Sequence, residues 1–204
     1  CVSGNCVDGY CCDSNCGGSC EACNVSGDLG TCTLLSDGDQ GDCTEYLCDG
    51  TDTSCPTSCS GDGDCASNYY CDTNSSMCQL KKSSGAGLSC SRDGECVSGN
   101  CVDGYCCDSN CGGRCDACDV SGFEGSCTVV GSGASGSPSC EPYVCDGSSA
   151  SCPNSCSGDG DCASGYYCDG SPGACQLKKS GGQPCDRNGE CSSDDCDTSE
   201  NECQ

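Results

Sequence analysis

The sequence contains no histidine and no tryptophan, a single phenylalanine and a single methionine, and only seven lysines and arginines against 32 aspartates and glutamates. Without histidine there is no Ser–His or Cys–His pair to activate a nucleophile, and no glycine-rich phosphate loop is present, so the chain is not expected to be an enzyme. A formal charge of −25 excludes a basic face for phosphate backbones or anionic lipid, so nucleic acid is not an expected partner. No apolar run approaches the ~18–20 residues that span a bilayer, so no transmembrane segment is expected. The chain has no initiator methionine and no signal-peptide pattern, which leads us to expect a processed form or the ordered part of something longer. Large apolar side chains are too few to close an ordinary core.

What is present is cysteine, 35 residues, and glycine, 32. That cysteine content is far beyond the roughly 8–10% that marks a disulfide scaffold, and it places the chain outside the reducing cytoplasm, extracellular or at the cell surface. Cross-links at ~2–4 kcal/mol each would replace the missing apolar core. Segments such as CVDGYCC and GYYCDG alternate small apolar or aromatic residues with polar ones around Asp-Gly, a strong hairpin signal, and no stretch keeps helix periodicity over three turns. The expected fold is therefore small, disulfide-rich and irregular, with short antiparallel β-hairpins and little or no helix, arranged as a tandem repeat array.

The repeat is explicit. CVSGNCVDGYCCDSNCGG at Cys1–Gly18 returns letter for letter at Cys96–Gly113 and contributes Cys6, Cys11, Cys12 and Cys16 to the disulfide framework, matched by Cys101, Cys106, Cys107 and Cys111. Cysteines keep an offset of 95 as far as Cys32/Cys127 and of 97 from Cys43/Cys140 onward, the two extra residues falling in a tolerant loop. Three divisions follow: residues 1–89 as repeat unit 1, 90–184 as repeat unit 2, and 185–204 as a partial third repeat serving as C-terminal cap or docking segment. The first holds fifteen cysteines, the second sixteen and the third four, because the first copy has no counterpart of Cys90. One thiol in the first copy thus lacks its expected partner. That partner lies upstream, or in a neighbouring subunit, or else Cys1 is a lipidated or free N-terminal cysteine.

The basic residues gather at the junctions: Lys81, Lys82 and Arg92 at the first, Lys178, Lys179 and Arg187 at the second, with Arg114 apart. Such a collar attracts acidic surface of the adjoining repeat or of another subunit, or is merely a solvated linker. With Cys1, these residues are the candidate assembly positions, and self-association with other copies is the expected partnership.

Two ligand chemistries compete with a purely structural reading. The CxxC pairs Cys20/Cys23 and Cys115/Cys118 and the adjacent pairs Cys11/Cys12 and Cys106/Cys107 resemble thiolate metal sites, but the lack of histidine and of CxC, and the wide spacings, favour disulfides. A redox role for CxxC needs a helix N-terminus that the glycine-rich flanks do not offer. SCSGDGDCAS occurs twice and sets Asp62/Asp64 and Asp159/Asp161 two residues apart, an alternation that suits calcium, although the third ligand and the closing glutamate of an EF-hand loop are missing; the alternative is an Asx-turn. No other cofactor is expected. Asp37, Asp39 and Asp42 look calcium-like in one copy only. Asn24 and Asn74 sit in glycosylation sequons whose counterparts, Asp119 and Ser171, break the signal. In the pairs Tyr69/Tyr70 and Tyr166/Tyr167, one ring is expected to pack on a disulfide and the other to face outward.

The runs CVSGNCVDGYCCDSNCGGSCEAC and SCSGDGDCASGYYCDG followed by CQLKK and GEC resemble the cysteine-rich repeats of large secreted or surface proteins of delta-proteobacteria, and the second half is similar to the Dickkopf N-terminal cysteine-rich pattern. The resemblance implies an extracellular disulfide-rich array and carries no receptor binding with it. The function expected is that of an extracellular structural repeat protein, the subunit of a surface fibre or filament assembling head to tail. The alternative is a secreted binding module, either a calcium-dependent adhesin or an inhibitor or ligand-like domain.

Overall fold

The computed structural model describes residues 1–85, 88–170 and 173–204; Ser171 lies outside them. Among the described residues there is no α-helix, and regular structure is confined to two-stranded antiparallel ribbons and single 3₁₀ turns. This is the small, disulfide-rich, irregular fold that the composition predicts. The first ribbon pairs β1 (Cys6–Val7) with β2 (Tyr10–Cys11), and the two residues between them, Asp8 and Gly9, have φ of 53° and 82°. Positive φ at both central positions defines the tight turn whose twist matches the strands, which is why Asp-Gly stands there. β3 (Glu21–Ala22) pairs with β4 (Thr33–Leu34), and the longer β5 (Tyr69–Asp72) pairs with β6 (Met77–Leu80). The same three ribbons return as β7 (Cys101–Val102) with β8 (Tyr105–Cys106), β9 (Asp116–Ala117) with β10 (Thr128–Val129), and β11 (Tyr166–Asp169) with β12 (Ala174–Leu177). A last ribbon joins β13 (Cys196–Asp197) to β14 (Glu202–Cys203).

The chain forms two compact units, Cys1–Ser83 with Arg92–Gly99, and Ser84–Ser91 with Asn100–Gln204. Cystine forms most of the core of each. In the first unit the bonds Cys12–Cys23, Cys16–Cys32, Cys20–Cys48, Cys43–Cys55, Cys59–Cys71 and Cys65–Cys78 follow one another. The second contains their equivalents, Cys107–Cys118, Cys111–Cys127, Cys115–Cys145, Cys140–Cys152, Cys156–Cys168 and Cys162–Cys175, together with Cys90–Cys101, Cys185–Cys196 and Cys191–Cys203. Where two bonds meet, sulfur packs on sulfur: Cys20 Sγ lies 3.5 Å from Cys43 Sγ. One cluster contains a buried ring, Tyr46, which rests among Cys59, Cys65, Cys71 and Cys78, with Tyr69 against its edge. The Tyr46 hydroxyl donates to the Thr57 carbonyl at 3.2 Å and accepts from the Cys78 amide at 3.4 Å, so its polar end is satisfied inside.

Two expectations about individual cysteines are corrected here. Cys1 is not the unpaired residue: it is bonded to Cys11. The free cysteine is Cys6, exposed on β1, which was expected to belong to the framework. Every other cysteine is in a disulfide.

Close approach of cross-linked segments explains the paired glycines of the cassette. The Cys115 amide donates to the Ala150 carbonyl at 2.8 Å, and the Cys20 amide to the Thr53 carbonyl at the same distance. A Cβ at Gly113 or Gly18 would run into that same carbonyl group. Gly113→Ala is therefore expected to destabilise its unit by about 1–3 kcal/mol, read from denaturant unfolding with disulfides intact. Thiol titration of the denatured, unreduced chain should return one equivalent, and alkylation with peptide mapping should place it at Cys6.

Candidate functional site: the basic junctions

Of the basic collar, Lys82 and Arg92 in the first unit and Lys179 and Arg187 in the second converge on one tyrosine and two acids. In the first, the chain leaving β6 forms a parallel bridge between Lys82 and Cys96, with the Lys82 amide donating to the Glu95 carbonyl at 2.7 Å and the Val97 amide to the Lys82 carbonyl at 2.9 Å. That bridge sets Lys82 beside Glu95, and Lys82 Nζ donates to Glu95 Oε2 at 2.6 Å with the glutamate buried. Arg92 stands just before a 3₁₀ turn at Asp93–Glu95. Its guanidinium makes a two-pronged pair with Asp62, and Nη2 also donates to the Cys71 carbonyl at 2.6 Å. Asp62 Oδ1 accepts from the Cys71 amide at 2.8 Å as well, so Asp62 and Arg92 both hold the backbone of β5. The Tyr70 ring completes the group, 5.6 Å from Arg92 Cζ and 5.9 Å from Lys82 Nζ, within cation–π range.

The second unit repeats the group. Lys179 pairs with buried Glu190 at 2.5 Å, Arg187 forks onto Asp159 and donates to the Cys168 carbonyl at 2.7 Å, and the Tyr167 ring lies 5.6 and 5.7 Å from the two cations. Lys178 adds an ion pair with Asp194, and Lys81 contributes Coulombic support to Asp62.

The expected acidic positions have protein partners. Asp62 and Asp159 are occupied by arginine and a β-strand amide. Asp64 Oδ2 accepts from the Ser60 amide and hydroxyl and from the Gly61 amide, and Asp161 does the same with Ser157 and Gly158. A cation at Asp62 or Asp159 would have to displace a guanidinium. Hydrogen bonds from arginine hold Asp62 below the ordinary carboxylate range and Asp159 at about 2; those from Ser60 and Ser157 lower Asp64 and Asp161. The glutamate bonds raise Lys82 and Lys179. Asn24 and Asn74 are exposed, Asn74 on the turn between β5 and β6. Sulfur atoms do cluster, as at Cys20, Cys43 and Cys55, but these are disulfide sulfurs rather than thiolates.

Two open clefts also occupy matching positions, of about 360 Å³ beside Asp49, Pro56 and Asp64 and about 420 Å³ beside Asp146, Pro153 and Asp161. Sequence reasoning found the junction cations but missed their partners. The signal was the spacing: each YYC segment is followed by Lys-Lys and then by Arg-x-Gly-Glu-Cys in both copies.

No protein-family model matches the chain, and no curated protein or solved structure matches it. The fold itself defines a disulfide-stabilised protein, and no helix of the described residues is long and apolar enough to cross a membrane.

Arg187→Gln should lose the forked bond, the Cys168 contact and the ring contact, lowering the stability of its unit by about 1–2 kcal/mol in denaturant unfolding. The acid response gives a second readout. Asp159 titrates at about 2 in the folded chain against an ordinary 3.8, so its contribution is complete above about pH 4 and is lost as pH falls toward 2. The parent should lose stability across that window, and Arg187→Gln should lose less of it.

Proposed function

We propose that the chain is an extracellular structural repeat protein, a cross-linked stretch of a surface fibre or filament, and not a catalyst. The observation that carries this reading is the repeated Lys–Tyr–Arg–Asp junction. In each unit, cations that could have served as a patch for a foreign partner are spent on acids of the same unit. The density of disulfides supports an oxidising setting, where cystine resists both proteolysis and unfolding. Resemblance to the cysteine-rich repeats of delta-proteobacterial surface proteins supports the same reading.

Head-to-tail growth through non-covalent contacts is the mode of assembly in this reading. Electron microscopy of concentrated material is expected to show filaments, and a field of discrete monomers at high concentration would overturn the proposal. On non-reducing gels, covalent species are expected to stop at the dimer.

A further inference from the structure

The Cys111–Cys127 bond stands apart from its neighbours in the second unit. Cys111 has φ of 45°, in the left-handed region that side-chain-bearing residues avoid, and its equivalent Cys16 has 44°. Among the described residues these are the two cysteines with positive φ. Both halves of the bond, Cys111 and Cys127, are half-buried, whereas the adjoining Cys107–Cys118 and Cys115–Cys145 are fully buried at 0% exposure. A carboxylate also lies against one of its sulfurs: Asp116 Oδ2 is 3.4 Å from Cys127 Sγ.

Little offsets that carboxylate. Its Oδ2 accepts from the Gly113 amide at 3.3 Å, and its Oδ1 is buried with no hydrogen-bond partner among the described residues. The nearby Arg114 guanidinium is turned to the Pro138 and Ser139 carbonyls. Sulfur and carboxylate are held together by the pairing of β9 with β10, where Asp116 stands opposite Val129, and by the Cys127 amide, which donates to Asp108 Oδ1 at 2.9 Å. When a thiolate attacks a disulfide, negative charge is carried by the entering and leaving sulfurs rather than by the one attacked. A carboxylate beside Cys127 therefore disfavours Cys127 as the leaving thiolate and directs attack to it, with Cys111 leaving instead.

We propose that Cys127 is a thiolation site whose substrate is a small-molecule thiol of the glutathione class. The substrate thiolate attacks Cys127 Sγ, a mixed disulfide forms, the Cys111–Cys127 bond breaks, and Cys111 leaves as a thiolate with no net oxidation. Opening the bond frees Cys111 from the left-handed backbone that the closed bond fixes. The released sulfur has a further target, since Cys111 Sγ lies 3.7 Å from Cys107 Sγ. There the Cys111 thiolate attacks, Cys107–Cys111 forms, Cys107–Cys118 breaks, and Cys118 leaves as a thiolate. An accessible bond thus opens a buried one that a reductant in solution cannot reach. The site lies within one unit and is independent of filament formation.

The test treats the intact chain with excess glutathione, quenches in acid at low conversion, and maps adducts by mass spectrometry after alkylation. Glutathione should be found on Cys127 about tenfold or more over Cys111. It should also exceed by about tenfold the adducts of Cys90–Cys101, a bond just as half-buried but without a left-handed residue. Longer treatment should yield peptides joined through Cys107–Cys111, with the thiol at Cys118. Equal adducts on Cys111 and Cys127, a preference for Cys111, or earlier opening of Cys90–Cys101 would each overturn the site. Asp116→Asn keeps an acceptor for the Gly113 amide and removes the charge, so the Cys127 preference should fall to about threefold or less. A preference undiminished in a variant that melts with the parent would overturn the directing role of Asp116; if the variant does not fold, the ratio in the parent alone decides the site.

Discussion

The constraint on which everything else depends is that a chain this poor in large apolar side chains cannot close a core by burial alone. Ordering a residue costs about 1–2 kcal/mol of backbone entropy, and small domains recover this with difficulty from hydrophobic area. Here the compensation acts on the other side of the equilibrium. Bonds that close loops of ten to thirty residues remove conformations from the unfolded chain, about 3 kcal/mol for a loop of roughly 15 residues. The half-cystines then double as the interior: the fully buried side chains are cysteines such as Cys20, Cys48, Cys71, Cys107 and Cys145. Because the bonds set the distances, strands of two residues suffice and glycine is tolerated wherever backbones must touch.

A cystine core leaves many backbone amides outside any ladder, and this gives the acidic excess a structural use. Asp8 and Asp103 accept from the Cys23 and Cys118 amides, and Asp13 and Asp108 from the Cys32 and Cys127 amides, each at 2.9 Å. Asp49 and Asp146 each collect two further amides in tight turns. The carboxylates thus act as portable acceptors, charge-assisted and stronger than neutral ones. The formal charge of −25 is partly the by-product of satisfying a backbone without sheets, and seven cations are enough because only the junctions need them.

What could be read in advance follows the same logic. Local rules were legible: Asp-Gly fixed the turns at Asp8 and Asp103, and the absence of periodicity announced the absence of α-helix among the described residues. Cysteine parity was legible too, and it reported one surplus thiol. Which cysteine that would be was not, because the surplus depends on pairing, and pairing is a property of space rather than of order. The sequence leaves a free Cys1 open as one alternative beside an upstream partner or a neighbouring subunit, whereas in the structure Cys1 pairs with Cys11 and Cys6 is the free thiol. The lysines and arginines were recognised as a group, yet their acids lie up to 30 residues away along the chain and meet them only once the cystines have drawn the strands together. Tyr46 stands alone between Glu45 and Leu47 in the sequence and carries no pattern there, while its neighbours in space are sulfur.

A small module of two interleaved bonds, Cys156–Cys168 with Cys162–Cys175 or Cys185–Cys196 with Cys191–Cys203, also explains why the last segment differs from the others. Asp62 and Asp159 bind the arginine that follows them; the corresponding position after Cys185 is Asn188, whose Oδ1 accepts from the Cys196 amide at 3.0 Å as Asp62 and Asp159 do from Cys71 and Cys168. The amide keeps the backbone bond and discards the charge, so no forked pair with another arginine can form there. The tyrosine that attracts the junction cations is absent as well, its place before Cys196 taken by Asp194 and Asp195, and Asp194 turns back to Lys178 of its own unit. One module thus takes two forms: with aspartate and tyrosine it holds the arginine and lysine that follow it, and with asparagine and acids it keeps only the backbone bond.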